Sequence, residues 1–400
     1  MQHNINLHSQ WNVDVHYALD FPKWWCKTLG IWPWQRNIFC IVQTSGIILT
    51  SVITTILSSV QLLTKGNCGE MIDLLEIMSG IIVYAETAFK VLSLWLGQQQ
   101  MRYIISSIID DWSNATGKES RDIMYRNAYW GRLVFILQIA GAVLAMLLTA
   151  WIDRPTIIRE ISQTNRSRNM LLAPSCWVPA TMPLSIYLLY YYLVFFSILW
   201  AVLAYTGCDA FIFNTALHIC GQFEILEVDI KKINDGDDHL MQRCKIKEYS
   251  KRHNQLIELG QHMDVLINII ILTELLSNSI AICATGGLLL VSIQRGTVDR
   301  IVMSYAARLY VWYMELLMYC YVGEKLSSHA DKLRSALYDC AWYNMSKDIV
   351  KDMIFMIIRN NVSCRLTGGH FFVMNHESFA KITKIMFSFL SVLRFMLQLN

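Results

Sequence analysis

Long apolar stretches alternate with polar segments along the chain, each stretch near the roughly 20 residues a helix needs to cross the ~30 Å hydrocarbon core of a bilayer. Seven spans are expected, over residues 37–63, 71–96, 133–152, 184–207, 265–293, 301–323 and 379–397. The first contains no charged side chain. The second carries Asp73, Glu76, Glu86 and Lys90, and the seventh Lys381, Lys384 and Arg394, so both are read as spans from their place in the series. The first 36 residues lack a short basic-then-apolar start ending in small residues, and the first span is expected to serve as the anchor. The fold class expected is an all-α membrane protein of seven transmembrane helices.

Composition supports this. The chain is 54% hydrophobic and only 16% charged, where soluble domains carry roughly 25% charged residues. A net charge of +3 is too small to point to nucleic acid, and 11 cysteines without a single CxxC spacing suggest neither a disulfide scaffold nor a zinc site. The sequence holds no GxSxG, HExxH or P-loop, and its histidines do not cluster with carboxylates or cysteines at ligand spacing, so neither enzyme chemistry nor a cofactor is expected.

Charge sets the expected orientation. The amino-terminal segment and the second, fourth and sixth loops hold 22 Lys and Arg, against seven in the alternate set. Cytoplasmic loops retain the basic excess, which places the amino terminus inside and the carboxyl terminus outside, the reverse of a G-protein-coupled receptor. Asn165-Arg166-Ser167, an N-glycosylation pattern, then falls on the outer side, as do Cys68 and Cys176, which could pair.

All six prolines precede residue 184, so nothing beyond that point must break a helix. Helices over 184–233 and 238–293 would be about 75 and 84 Å long and project far from the bilayer. Phe213, Leu217, Cys220, Phe223, Leu226, Ile230 and Ile233 recur at intervals of three and four, an apolar stripe that needs a partner. A cytosolic helical bundle is expected, either as a subunit interface or as packing within one chain. The acidic turn at 234–238 lacks the spaced ligands of a calcium loop, and Gly368-Gly369 divides a cytosolic helix from the last membrane one. The domains expected are a cytoplasmic segment 1–36, spans one to four over 37–208, cytosolic extensions over 209–264, spans five and six over 265–323, anchor helices over 324–369 and the last span over 370–400.

Glu86 and Lys90, four apart on one helix face, are read as neutralising one another. Glu274 and the face formed by Tyr305, Arg308, Trp312 and Glu315 are read either as lining a cavity or as interhelical pairs that fix packing. Tyr84, Leu144, Leu147, Trp151, Tyr187, Tyr190, Tyr191, Tyr305 and Arg308 are the candidate ligand-binding residues, a set suited to a small apolar ligand with a few hydrogen bonds. On the last span Ile385, Ser388, Val392 and Met396 share one face. A ring of such faces would form a narrow hydrophobic constriction able to gate ions; the same stripe also reads as a plain packing face.

Leu29-Gly30-Ile31-Trp32-Pro33 precedes the first span, and Cys208-Asp209 to His218 and Gln222-Phe223 follow the fourth. Gly323-Glu324-Lys325-Leu326 through Ala336-Leu337-Tyr338 and Trp342 follow the sixth, and Ser378-Phe379 to Val392-Leu393-Arg394 close the series. In these motifs and their order the chain resembles insect odorant receptors. The resemblance implies an odorant-gated, non-selective cation channel subunit in the dendritic membrane of olfactory neurons, in contact with membrane lipid and assembled as a tetramer with a conserved odorant co-receptor. It implies that odorant sits between spans two, three, four and six, that the cytosolic helix ends form an anchor, and that the last helix lines the pore. The stretch Ser388-Phe389, Leu390 to Arg394, then Phe395 departs from the Thr-Tyr and Gln ending of gustatory receptors and the co-receptor. This favours a tuning receptor, with a gustatory receptor as the alternative.

Overall fold

The computed structural model describes residues 11–35, 37–66, 71–115, 117–161, 171, 175–178, 182–233, 238–297, 299–340, 342–359 and 365–398. Among the described residues ten α-helices run in chain order: α1 (Val13–Thr28), α2 (Ile38–Lys65), α3 (Met71–Leu96), α4 (Gln98–Asn114), α5 (Lys118–Ile161), α6 (Leu184–Lys231), α7 (His239–Gln294), α8 (Asp299–Asp339), α9 (Lys347–Arg359) and α10 (His376–Gln398). A two-stranded antiparallel hairpin, β1 (Thr367–Gly368) and β2 (Phe372–Val373), precedes α10 and pairs Thr367 with Val373. Among the described residues α2, α3, α5, α6 and α7 are long and apolar enough to cross a membrane. The sixth and seventh expected spans fall on α8 and α10, whose ionisable residues dilute their apolarity.

α2 ends and α3 and α8 begin at one end of the molecule, the turn end, where Glu76 of α3 meets Tyr305 and Arg308 of α8; toward the other, α6 and α7 run on past the expected spans. α6 is the central element, buried almost without interruption from Ala204 to Phe213 and again through Phe223. The stripe from Phe213 to Ile233 is buried along its whole length, against apolar faces of α4, α7, α8 and α9 that include Ile105, Ile109, Leu256, Leu259, Leu333 and Ile349. Its covering therefore comes from within one chain.

Two helices, α1 and α4, lie outside both the expected spans and the expected anchor segments. α1 is capped by the Asn12 side chain, which accepts from the Val15 amide at 2.9 Å, and buries Val15, Leu19, Pro22 and Cys26 at helical spacing. It lies directly on α6 because Gly207 leaves room for Trp25: a Cβ there would fall 1.3 Å from the indole nitrogen, which donates to the Leu203 carbonyl at 3.2 Å. α4 buries Met101, Ile104, Ile105, Ile108, Ile109 and Trp112 on one face. The Leu29–Pro33 motif makes the tight turn from α1 into α2. Gly30 has φ +72° and its missing Cβ would meet the Cys40 carbonyl at 2.5 Å. Arg102 of α4 donates to the Pro33 carbonyl at 2.7 Å.

The acidic turn at 234–237, Cys68 and Asn165 lie outside the described residues. Cys176 is disulfide-bonded. Next to it, the Trp177 indole donates to the Gly66 carbonyl at 2.9 Å and Lys65 to the Trp177 carbonyl at 3.2 Å, closing the turn end of α2.

Candidate functional site

Four helices contribute ionisable side chains to one buried point. Lys90 of α3 is wholly buried, and its ammonium lies 2.8 Å from both carboxylate oxygens of Asp209 on α6 and 3.4 Å from Glu315 on α8, and contacts Glu274 on α7. The Tyr319 hydroxyl donates to Asp209 at 2.6 Å, and Asn278 donates to Glu274 at 2.9 Å. Tyr205 of α6 bridges Glu274 and Glu315 through its hydroxyl, 2.6 Å from the latter, while the Lys90 ammonium sits 3.4 Å from the centre of its ring. The carboxylates of Asp209, Glu274 and Glu315 lie within 4.8 Å of one another, a donor set suited to an oxygen-seeking cation. The tethered ammonium of Lys90 fills that position. A charge so far from water persists only when paired and hydrogen-bonded on all sides. Glu86 still attracts Lys90, as expected, but the close contacts of Lys90 reach across to three other helices, and Glu86 accepts from Thr273 at 3.4 Å.

Beside this hub, toward the turn end, is a cavity of about 90 Å³ among α3, α5, α6 and α8, the second, third, fourth and sixth spans. Its wall is mostly small and apolar, with Val83, Ala142, Ala145, Met146, Ile198 and Val311 joined by Ser79, Thr149, Tyr205, Thr206, Arg308 and Trp312. Tyr205 thus belongs to both places: its ring meets Trp312 edge-on in the cavity wall, with centroids 6.0 Å apart, and its hydroxyl holds the hub. Arg308 lies 3.9 Å from Glu76, which also accepts from the Tyr305 hydroxyl at 2.7 Å.

The residues singled out in the sequence divide into three groups. Arg308 lines the cavity, and Tyr305 is buried one turn away with its ring centre 5.1 Å from the guanidinium carbon. Tyr84, Tyr187 and Tyr191 are buried together in a second apolar cluster that shares Met146 and Ile198 with the cavity, and Tyr84 bonds Ser197 at 2.7 Å. Leu144, Leu147, Trp151 and Tyr190 face outward, each more than 40% exposed, and are absent from the cavity wall. Thr149, Val202, Tyr205 and Val311 escaped the sequence reading; the i, i+4 spacing of Arg308 and Trp312 marks the α8 face beside Val311, and no comparable signal marks Thr149 on α5 or Val202 and Tyr205 on α6.

α10 rests on the rest of the chain through Ile382 and Met386, and through Leu390, which fills the notch at Gly286 of α7. Ile385, Ser388 and Val392 point away, exposed; the side chain of Met396 lies outside the described residues. The hairpin clamps the start of this helix to α7. Gly369 donates to the Asn268 carbonyl at 2.9 Å, Thr367 to Asp264 at 2.9 Å, and Asn268 bonds His370 at 3.0 Å.

The model of the 7tm odorant receptor family matches residues 70–387. The chain belongs to that family. It is 24% identical to odorant receptor 22c of Drosophila melanogaster over 249 residues, 60% of each chain, and 23% identical to odorant receptor 47a of the same fly over 55% of this chain and 59% of the relative. The chain thus spans about three fifths of the length of these curated relatives. The solved insect olfactory receptor OR5 of Machilis hrabei, in complex with eugenol, superposes with a TM-score of 0.78 at 14% identity over 97% of this chain and all of the other. A second structure of OR5 gives 0.80 at 12% identity. The odorant receptor described here therefore has the insect olfactory receptor fold, an all-α membrane architecture.

Proposed function

We propose that this odorant receptor is the ligand-binding subunit of a heteromeric, ligand-gated, non-selective cation channel, opened by a small volatile organic molecule held in the cavity among α3, α5, α6 and α8. The observation that carries the reading is Tyr205, which forms part of the cavity wall and bonds the carboxylates that tie α7 and α8 together. α7 and α8 are the helices on which α10 rests. A ligand that shifts Tyr205 changes the hub, and the hub changes the support of the last helix.

Further support is independent of that path. These four helices are the ones the family resemblance names, and the solved relative is in complex with a small organic compound, eugenol. A cavity of about 90 Å³, below the roughly 300–1,000 Å³ of pockets for drug-sized ligands, favours a small volatile over a long hydrocarbon. The exposed face of Ile385, Ser388 and Val392, continued by Met396, is the pore lining of a tetramer formed with the co-receptor. The basic asymmetry supports a cytosolic amino terminus and projecting bundle with the carboxyl terminus outside, and the family resemblance supports the dendritic plasma membrane as the location. Residues 209–264 and 324–369 form the anchor beneath it.

Whole-cell current in cells expressing the chain with and without an insect odorant co-receptor, under an odorant panel and with intracellular GTP replaced by a non-hydrolysable GDP analogue, tests the reading. Rapid cation current that needs both chains and ignores the nucleotide is expected; current abolished by the nucleotide overturns it. Val392→Lys is expected to change conduction at unchanged surface expression, and identical currents would remove α10 from the pore.

A further inference from the structure

Resting on the cavity reading above, we infer that the ligand class is a neutral carbonyl compound, a ketone, aldehyde or ester, whose oxygen accepts from the guanidinium of Arg308. The side chain of Arg308 is 14% exposed and lines the cavity. Its Nε and Nη1 are buried and have no hydrogen-bond partner among the described residues. Among those residues only Nη2 approaches an anion, Glu76, and at 3.9 Å that is a charge contact without a hydrogen bond. A guanidinium is always protonated and carries its donors in a fixed planar fork, so two donor nitrogens are held where water is scarce with nothing among the described residues to receive their hydrogens. Buried donors left in this way are costly, and a ligand oxygen in the cavity removes that cost.

The hydroxyls of the wall are already committed as donors. Thr149 donates to the Ala145 carbonyl at 2.9 Å, Thr206 to Val202 at 2.9 Å and Ser79 to Glu76 at 2.8 Å, while Tyr205 serves the hub. The unspent donors of the wall are therefore those of Arg308; a carbonyl oxygen meets them with two lone pairs and brings no proton of its own, whereas an alcohol brings an O–H that must be desolvated and then placed on a hydroxyl lone pair. The wall also selects a neutral acceptor. Glu76 already balances the charge of Arg308, and a carboxylate ligand would bring a second anion into an apolar cavity with no further cation in its wall. The remaining lining, Val83, Ala142, Ala145 and Val311, takes a short alkyl chain.

The test is isothermal titration of the purified full-length receptor in lipid nanodiscs with methyl pentyl ketone, its secondary alcohol, octane and heptanoate. The ketone is expected to bind at least about tenfold more tightly than each of the other three, about 1.4 kcal/mol. In Arg308→Met the ketone is expected to fall to the affinity of octane while octane itself is unchanged. Because that variant also loses the Glu76 contact, the wild-type ranking stands as a test by itself, and Arg308→Lys, which keeps the charge but not the fork, is expected to give an intermediate ratio. Octane or the alcohol binding as tightly as the ketone overturns the carbonyl assignment and leaves the cavity as the ligand site. Heptanoate binding most tightly overturns the neutral class. Binding of all four that is untouched by Val311→Trp, which fills the cavity, overturns the cavity reading itself.

Discussion

Lys90 and Arg308 are both cations buried among apolar helices, and their surroundings differ in kind. Lys90 has three carboxylates from three other helices and an aromatic face; Arg308 has one carboxylate at a distance and two donors with no acceptor. The first arrangement is saturated, so adding anything to it gains little and removing anything is severe. The second has spare capacity, and that is the property of a site built to be completed by something else. In a low-dielectric interior the state of a charge's hydrogen bonds is therefore a better guide to its role than the presence of the charge.

The comparison is broken most directly by Lys90→Met. Three carboxylates would then share one buried point without a counter-ion, at a cost of about 3–5 kcal/mol on the scale of broken buried pairs, and surface biotinylation is expected to show the chain largely retained inside the cell. Wild-type surface levels would mean that the hub does not depend on its lysine.

A third buried base sharpens the contrast from the projecting bundle. His329 of α8 is buried, and desolvation first of all, helped by Lys325 and Lys332 against the opposing pull of Glu224, lowers its pKa to about 4. An unfolded histidine titrates near 6.5, so this neutral ring withholds no stability above that pH. Below it the unfolded chain takes up a proton that the folded one refuses. Stability falls as pH drops from about 6.5 to about 4, by at most about 3 kcal/mol. Melting temperatures in nanodiscs are expected to decline over that window in the wild type and to decline less in His329→Gln; parallel curves would exclude the histidine.

Tyr205→Phe probes the junction between the two membrane cations. It removes the hydroxyl from Glu274 and Glu315 and keeps the ring in the cavity wall, a loss of about 1–3 kcal/mol. Ligand affinity measured on the purified receptor is expected to hold, while the maximal current of the assembled channel falls; loss of both together would make Tyr205 a binding residue only. The smallest effect belongs to Trp151→Ala. Its side chain is 54% exposed and absent from the cavity wall, so ligand affinity is expected to change less than twofold, and a larger change would extend the site to the outer face of α5.

The seven expected spans all fall on helices because a run of some 20 apolar residues has few structural alternatives. The two long helices were legible for the same reason, with no proline to break them. α1 and α4 were not, because each pairs a short length with a one-sided apolar face, and a search for unbroken apolar runs passes over Val15–Cys26 and Met101–Trp112. The site was legible in part. Sequence periodicity put Arg308, Trp312 and Glu315 on one face, but it cannot state which helices meet that face, and so the partner of Lys90 was sought one turn away instead of 119 residues further along at Asp209. Leu144, Leu147 and Trp151 share the apolar character of a pocket wall and of a lipid-facing surface alike, and only packing separates the two.

The 56-residue α7 is held about two thirds of the way along its length by Glu274. Treated as a rigid lever about that fulcrum, its projecting arm is about 52 Å long and its other arm about 30 Å. A tilt of about 3° at the hub would carry the far tip by about 2.7 Å. The hairpin clamp at Asp264 and Asn268, only six to ten residues from the fulcrum, would move by less than 1 Å on the same geometry, at about 1.5 Å per residue. A small adjustment beside the cavity is thus magnified in the bundle and kept fine at the root of the last helix, so one rod supplies two mechanical gains from a single displacement.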